Sequence, residues 1–119
     1  MSNSQLEKYR SEATERATSY QTDERLKFAG QIFHNEQAKV KYAYNFFWLG
    51  VPIIQEPQDI QAWQEMIWEV KPDLIIETGI AWGGSIILSA SMLTLLEACG
   101  QIENGQVVVR KTMAMTLAF

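Results

Sequence analysis

The sequence feature that most constrains the fold is a short apolar run that leads directly into a cluster of glycines. The run, residues 72–78 with the sequence PDLIIET, does not alternate between apolar and polar positions. Runs of this kind are typical of strands that are buried on both faces, as in a parallel sheet covered by helices. We therefore predict a buried strand here, centred on Leu74, Ile75 and Ile76.

The pattern after the glycines predicts a helix and a second strand. Large apolar side chains recur between residues 86 and 96, and Gly100 suits the position just after a helix end. Residues 104–105, an Asn-Gly pair, then predict a turn, and residues 106–109 predict a strand. Strand, glycine loop, helix and strand in this order predict a βαβ unit, and hence an α/β fold.

An amphipathic helix is predicted before the first strand. Residues 56–59 (EPQD) suit a helix start, because proline is preorganised for the first helical position and an early acid complements the helix dipole. The helix ends before Pro72, since proline cannot continue it. One apolar stripe is predicted to face the core, with Met66 beside it, and it consists of Ile60, Trp63, Ile67 and Val70. Trp63 and Trp68 are predicted to be packing residues.

The first part of the chain differs in composition. Residues 1–41 contain seven of the ten basic residues, and residues 5–21 have the pattern of a solvated, mixed-charge helix. Residues 42–54 are rich in aromatic side chains, which pack over the core or form the rim of a ligand pocket. We predict two regions: an N-terminal helical arm with the aromatic segment at residues 1–55, and an α/β region at residues 56–119.

Charge and cysteine content exclude several classes of protein. The formal net charge of −4 argues against nucleic-acid binding, which needs a basic face. Cys99 is the only cysteine, so an internal disulfide and a cysteine-based zinc site are excluded. His34 has no metal-binding pattern around it, and Ser85 is not in the G-x-S-x-G motif of hydrolases. The polar N-terminus has no signal peptide, which predicts a cytoplasmic protein.

Residues 78–96 contain no charged side chain and are long enough to span a bilayer. A membrane helix here is the minor alternative, because the glycines fit a strand, a loop and a buried helix better. We therefore expect no membrane contact.

The segment between strand and helix has the composition of a ligand-binding loop. Its spacing, E-x-G-x-x-x-G-G-S from Glu77 to Ser85, matches neither the dinucleotide fingerprint nor the P-loop. Glycines permit close backbone approach and positive φ, and the following helix N-terminus offers N–H groups to an anion. Glu77 can accept a hydrogen bond from a ligand ammonium or brace the loop. The alternative is that the glycines serve only a tight turn.

Three segments resemble the cephalosporin hydroxylase / rhamnosyl O-methyltransferase family. They are residues 48–53 (WLGVPI), residues 64–65 (QE) and residues 71–85 (KPDLIIETGIAWGGS). The resemblance runs from about Tyr42 to Val108. It implies a partial Rossmann-like fold of the class I methyltransferases with an incomplete sheet, S-adenosylmethionine as cofactor, a small-molecule hydroxyl acceptor, and magnesium in the intact family. It also implies that one set of residues lines the methionine end of the cofactor: Glu77, Gly79, Ala81, Trp82, Gly83, Gly84 and Ser85. Trp82 stands where the family most often has histidine.

The sequence departs from the family pattern after Val108. The resemblance implies a glycine and then acidic residues for the cofactor ribose, but residues 104–119 contain no Asp or Glu. The magnesium ligands and catalytic residues of the family would lie further on, so no catalytic residue is predicted here. We expect a truncated or frame-shifted fragment of an O-methyltransferase that is inactive as this chain. The alternative is a non-catalytic binding or interaction module, and in either case an open strand edge predicts self-association.

Overall fold

The computed structural model describes residues 2–99 and, for the backbone only, residues 111–115. The chain divides into two compact units, Met1–Val40 and Lys41–Phe119. The predicted helix-ending Gly100, the turn at residues 104–105 and the strand at residues 106–109 lie outside the described residues.

The first unit contains two α-helices, α1 (Asn3–Tyr20) and α2 (Glu24–Lys39). Helix α1 agrees with the helix predicted at residues 5–21, whereas α2 was not predicted separately. Both helices begin at side-chain caps: Ser2 forms a capping box with Gln5, and the Asp23 carboxylate accepts from the Leu26 N–H at 2.9 Å. Local hydrogen bonds therefore define where these helices begin.

The second unit begins with a short 3₁₀ helix, Tyr42–Asn45, and a β-hairpin. Strands β1 (Phe46–Trp48) and β2 (Val51–Ile53) pair antiparallel, with Trp48 opposite Val51. The two residues between them, Leu49 and Gly50, have φ of 48° and 82°. Positive φ at both positions is the requirement of a type I′ turn, the usual two-residue hairpin loop. The sequence analysis recognised the aromatic character of this segment but did not predict its two strands.

Helix α3 (Pro57–Val70) has Pro57 in its first turn, as predicted, and ends at Lys71 in the left-handed conformation. The predicted stripe is correct for Ile60, Trp63 and Ile67, which contact or belong to the core. It is wrong for Val70, which is exposed. Met66, predicted beside the stripe, and Trp68, predicted as a packing residue, are exposed as well. The buried stripe is thus narrower than the hydrophobic pattern.

A parallel pair of strands follows the predicted βαβ order. Strand β3 (Leu74–Thr78) pairs with β4 (Lys111–Met115), with Ile76 opposite Met113. The prediction that β3 is buried on both faces is wrong: Ile75 is buried, but Leu74 and Ile76 are exposed. Ile75 packs in the core with side chains of α3 and α4, whereas Leu74 and Ile76 do not belong to that core.

Helix α4 (Gly84–Ala98) forms the centre of the second unit. Among the described residues the core contains seven buried apolar side chains, four of them from α4: Ile53, Ile67, Ile75, Leu88, Met92, Leu93 and Leu96. Leu95, one of the large apolar side chains between residues 86 and 96, is exposed. The part of the chain that the structure describes contains no helix with the length and apolarity needed to cross a bilayer. The second unit is a mixed helix and strand arrangement compatible with a partial α/β fold.

Candidate functional site

The connection from β3 to α4 is a tight loop with several left-handed residues. Gly79, Ala81 and Gly83 have φ of 77°, 42° and 88°. The Gly83 N–H donates to the Ile80 carbonyl oxygen at 2.7 Å, which closes the turn before the helix. Glycine adopts these angles without steric cost, while Ala81 does so at a cost of roughly 1 kcal/mol. The loop therefore has one defined backbone path from the strand to the helix.

Glu77 and Ser85 join the two ends of this loop. The Ser85 hydroxyl donates to the Glu77 Oε1. This hydrogen bond joins the C-terminal end of β3 to the first turn of α4. The helix begins at Gly84 with Gly83 as its cap, so Ser85 lies in the first turn of α4. The first N–H groups of an α-helix have no intrahelical acceptor, so this end of α4 can hold an anion.

A cavity of about 310 Å³ lies beside this hydrogen bond, between α3, β3 and α4. Its lining combines apolar side chains with two carboxylates and several polar groups: Gln55, Asp59, Ile60, Trp63, Ile75, Ile76, Glu77, Ser85, Leu88 and Ser89. Of the predicted site residues, Glu77 and Ser85 line this cavity. Asp59 was recognised only as a helix-start acid, and nothing in its local sequence indicates a cavity, because α3 and β3 bring it there by long-range packing.

Gly79 and Trp82 are open positions of the loop. A Cβ atom added at Gly79 would have no heavy atom within 4 Å outside its chain neighbours, and 74% of Trp82 is exposed. At Gly83, such an atom would meet only Ile86 Cγ2, at 3.9 Å. The loop thus presents a face on which a ligand can approach the backbone closely.

Gly84 faces the protein interior instead. An added Cβ there would clash with the Pro52 carbonyl oxygen and lie 2.7 Å from the Ile53 Cβ. The hairpin also contacts α4 through the Trp48 indole, whose Nε1–H donates to the Ser91 hydroxyl at 2.9 Å. Gly84 therefore has a packing role, and the aromatic segment packs over the core, which was the first of its two predicted interpretations.

A second indole contacts α4 from the other side of the core. The Trp63 Nε1–H donates to the buried Ser89 hydroxyl at 3.1 Å. Helix α3 and the hairpin thus hold α4 in place, and the Ser85–Glu77 hydrogen bond joins its N-terminus to β3. Residues 2–99 and 111–115 contain no group of three His, Cys, Asp or Glu side chains that could hold a metal ion.

Comparison with known proteins identifies this arrangement. The family model for rhamnosyl O-methyltransferase/CmcI matches residues 40–113. The chain belongs to the rhamnosyl O-methyltransferase/CmcI family. The match contains every element from the hairpin through the glycine loop and α4, and it confirms the resemblance inferred from residues 48–53 and 71–85. No curated protein and no solved structure matches the chain significantly.

The family assignment gives the glycine loop a chemical context, because the family includes O-methyltransferases. Its matched segment begins at residue 40, next to the boundary between the two compact units at Val40 and Lys41. The second unit is therefore the part of the chain that carries the family relationship, and all the site features described above belong to it.

Proposed function

We propose that the second unit binds the methionine end of S-adenosylmethionine at the loop between β3 and α4. The observation that carries this proposal is the Glu77–Ser85 hydrogen bond beside a cavity, in a loop whose Gly79 backbone is open to a ligand. Strands β3 and β4, with helices α3 and α4, would then form the first half of a Rossmann-like methyltransferase domain, as the family membership suggests.

The residues present fit the charged groups of this cofactor. Its carboxylate would accept hydrogen bonds from the N–H groups at the start of α4, where the helix dipole favours an anion. Its ammonium would donate to Glu77, and the Asp59 carboxylate also lines this cavity. Gly79, Ala81, Trp82 and Gly83 would border the ligand, whereas Gly84 supports the helix from behind. When bound, S-adenosylmethionine supplies an electrophilic methyl group for transfer to a hydroxyl oxygen.

We propose that binding by the 119-residue chain is weak and that the chain does not transfer the methyl group. Residues 104–119 contain no Asp or Glu to accept hydrogen bonds from the cofactor ribose. Two charge-assisted hydrogen bonds are worth about 3–6 kcal/mol together, and each 1.4 kcal/mol is a factor of ten in affinity. A site of micromolar affinity would therefore become a site of about millimolar affinity or weaker.

Titration of the isotope-labelled chain with S-adenosylmethionine, followed by NMR, tests this proposal. We expect saturable shifts of the Gly79, Gly83 and Ser85 amides at millimolar ligand, and no heat by calorimetry at micromolar ligand. S-adenosylhomocysteine, which keeps the ammonium and carboxylate but lacks the sulfonium charge, should shift the same amides. Methionine alone should also shift them, because the proposed contacts are to that end of the cofactor.

Two matched variants identify the residues responsible. Glu77→Gln keeps an acceptor for Ser85 but removes the charge, and should weaken binding about tenfold, because a charge-assisted bond becomes a neutral one. Glu69→Gln makes the same change on an exposed position of α3 and should have no effect. Equal effects of both variants, or saturable micromolar binding by the chain itself, would contradict the proposal.

A further inference from the structure

Helix α3 contributes two side chains to the cavity that have no role in the proposed contacts to the ligand's carboxylate and ammonium. Asp59 and Trp63 both line this cavity. Because they are four residues apart on one helix, their side chains are neighbours on the same face of α3. Glu77 and Ser85, at the end of β3 and in the first turn of α4, line the same space. A further group of the ligand in this cavity can therefore contact a carboxylate and an aromatic ring from α3.

The Trp63 ring is held in position by packing and by one hydrogen bond. Its Nε1–H donates to the Ser89 hydroxyl at 3.1 Å, and Ser89 is 1% exposed. The ring is partly buried and packs against the core cluster. An indole has no polar group other than this N–H, so what remains for a ligand is the π surface and the apolar edge of the ring. Because the ring is already immobilised, a ligand contact with it costs little side-chain entropy.

The methionine end of S-adenosylmethionine carries one charge that the contacts proposed above leave without a partner. Its carboxylate would be bound by the start of α4 and its ammonium by Glu77, but its sulfonium has no assigned group. Only two methylene groups separate the sulfonium from the carbon that bears the other two charges. Tryptophan is the best aromatic partner of a cation, and a carboxylate attracts a cation at short range. Trp63 and Asp59 therefore match the chemistry of the sulfonium.

We propose that Trp63 and Asp59 recognise the sulfonium of the cofactor, so that the site prefers a sulfonium ligand to the corresponding neutral thioether. This inference rests on the proposed function and adds specificity-determining residues to it. The thioether is what remains of the cofactor after methyl transfer. A site with this preference binds the methyl donor more tightly than the spent cofactor, which favours exchange of one for the other.

Titrations with S-methylmethionine and with methionine test the inference, because the two ligands differ by one methyl group and one positive charge. In the NMR titration of the full chain we expect a dissociation constant about tenfold lower for S-methylmethionine. Trp63→Leu should reduce this ratio to about two- or threefold, whereas Trp63→Phe keeps a ring and should retain most of it. Trp48→Leu is the matched control, because the Trp48 indole also donates to a serine of α4 but does not line the cavity. A purely structural role of Trp63 would weaken both ligands equally and leave the ratio unchanged.

Asp59→Asn tests the charge without disturbing the core, since Asp59 is exposed. Solvent screens an exposed charge, so we expect this variant to reduce the ratio only about threefold, and Glu69→Gln on the same helix to leave it unchanged. Equal dissociation constants for the two ligands in the wild type, or a ratio that Trp63→Leu and Asp59→Asn leave unchanged, would overturn the inference. Methionine-induced shifts of the Gly79 and Gly83 amides would in that case still support the proposed function. No shift with either ligand would overturn both.

Discussion

The two compact units are stabilised in different ways. In α1 and α2, all of whose residues the structure describes, Gln37 alone is buried. Their ends are fixed by side-chain caps, and their surface carries ion pairs three or four residues apart, such as Lys27 with Glu24 at 2.9 Å. The second unit instead has a core made by residues far apart in sequence, from Ile53 to Leu96. Local interactions thus dominate the first unit, and long-range packing dominates the second.

This difference explains why the functional features lie in the second unit. A binding site needs groups held in fixed relative positions, and long-range packing supplies that. The Trp48–Ser91 and Trp63–Ser89 hydrogen bonds span 43 and 26 residues of sequence, and both hold helix α4. The family match likewise begins at residue 40 and continues to residue 113. Substitutions should therefore have much larger effects in the second unit than matched substitutions in the first.

The largest contrast is expected between two glycines. Gly84→Val should prevent stable folding of the second unit, because even a Cβ would clash with the Pro52 carbonyl, and overpacking alone costs about 1–3 kcal/mol or more. Gly30→Ala, in helix α2, has open space around the added atom and should stabilise the helix by about 0.5–1 kcal/mol. Chemical denaturation followed by circular dichroism and tryptophan fluorescence would measure both. A fully folded Gly84→Val variant would show that the hairpin does not pack this closely.

The next contrast compares core and surface apolar residues. Leu96→Ala should lower the free energy of unfolding of the second unit by about 2–5 kcal/mol, because it leaves a cavity in a site that is 1% exposed. Phe28→Ala in α2, where 67% of the residue is exposed, should change the free energy of unfolding by less than about 0.5 kcal/mol. Urea unfolding of both variants tests this, and similar losses would mean that α2 also buries its aromatic face in solution.

Some of these features could be predicted from the sequence, and others could not. The strand at Leu74–Thr78, the helices on each side of it and the glycine loop follow from apolar periodicity, Pro57 and Pro72, and the glycines. The hairpin was missed because its strands have three residues each, too short to show alternation. The exposure of Val70 and Ile76 was missed because hydropathy does not show which faces lack a covering element.

The site was predictable only in part for the same reason. Glu77 and Ser85 lie close in sequence, and the family resemblance of residues 71–85 implied a shared role for them. Asp59 comes to the cavity from another helix, so only the fold reveals it. The packing role of Gly84 also depends on a distant element, the strand that contains Ile53. A glycine required for close packing and a glycine required for ligand approach have the same appearance in a sequence.

A smaller effect is expected from the indole that connects the hairpin to α4. Trp48→Phe removes the donor to Ser91 and part of a half-buried ring, and should cost about 2 kcal/mol of unfolding free energy. Trp82→Phe is the matched control, because Trp82 is largely exposed, and should be nearly neutral for stability. Thermal unfolding with calorimetry compares the two, and equal melting temperatures would show that the Trp48–Ser91 bond contributes nothing measurable.

The smallest effect is expected at the cap of α2, and it tests whether the first unit depends on local interactions. Asp23→Ala removes the acceptor for the Leu26 N–H and should destabilise α2 by about 1 kcal/mol. Asp23→Asn keeps an acceptor oxygen without the charge and should recover most of this loss. Amide hydrogen exchange should show faster exchange in the first turn of α2 for the alanine variant, with no change in α4. Because α4 is held by core packing rather than by this cap, faster exchange there in the alanine variant would contradict the division between local and long-range stabilisation.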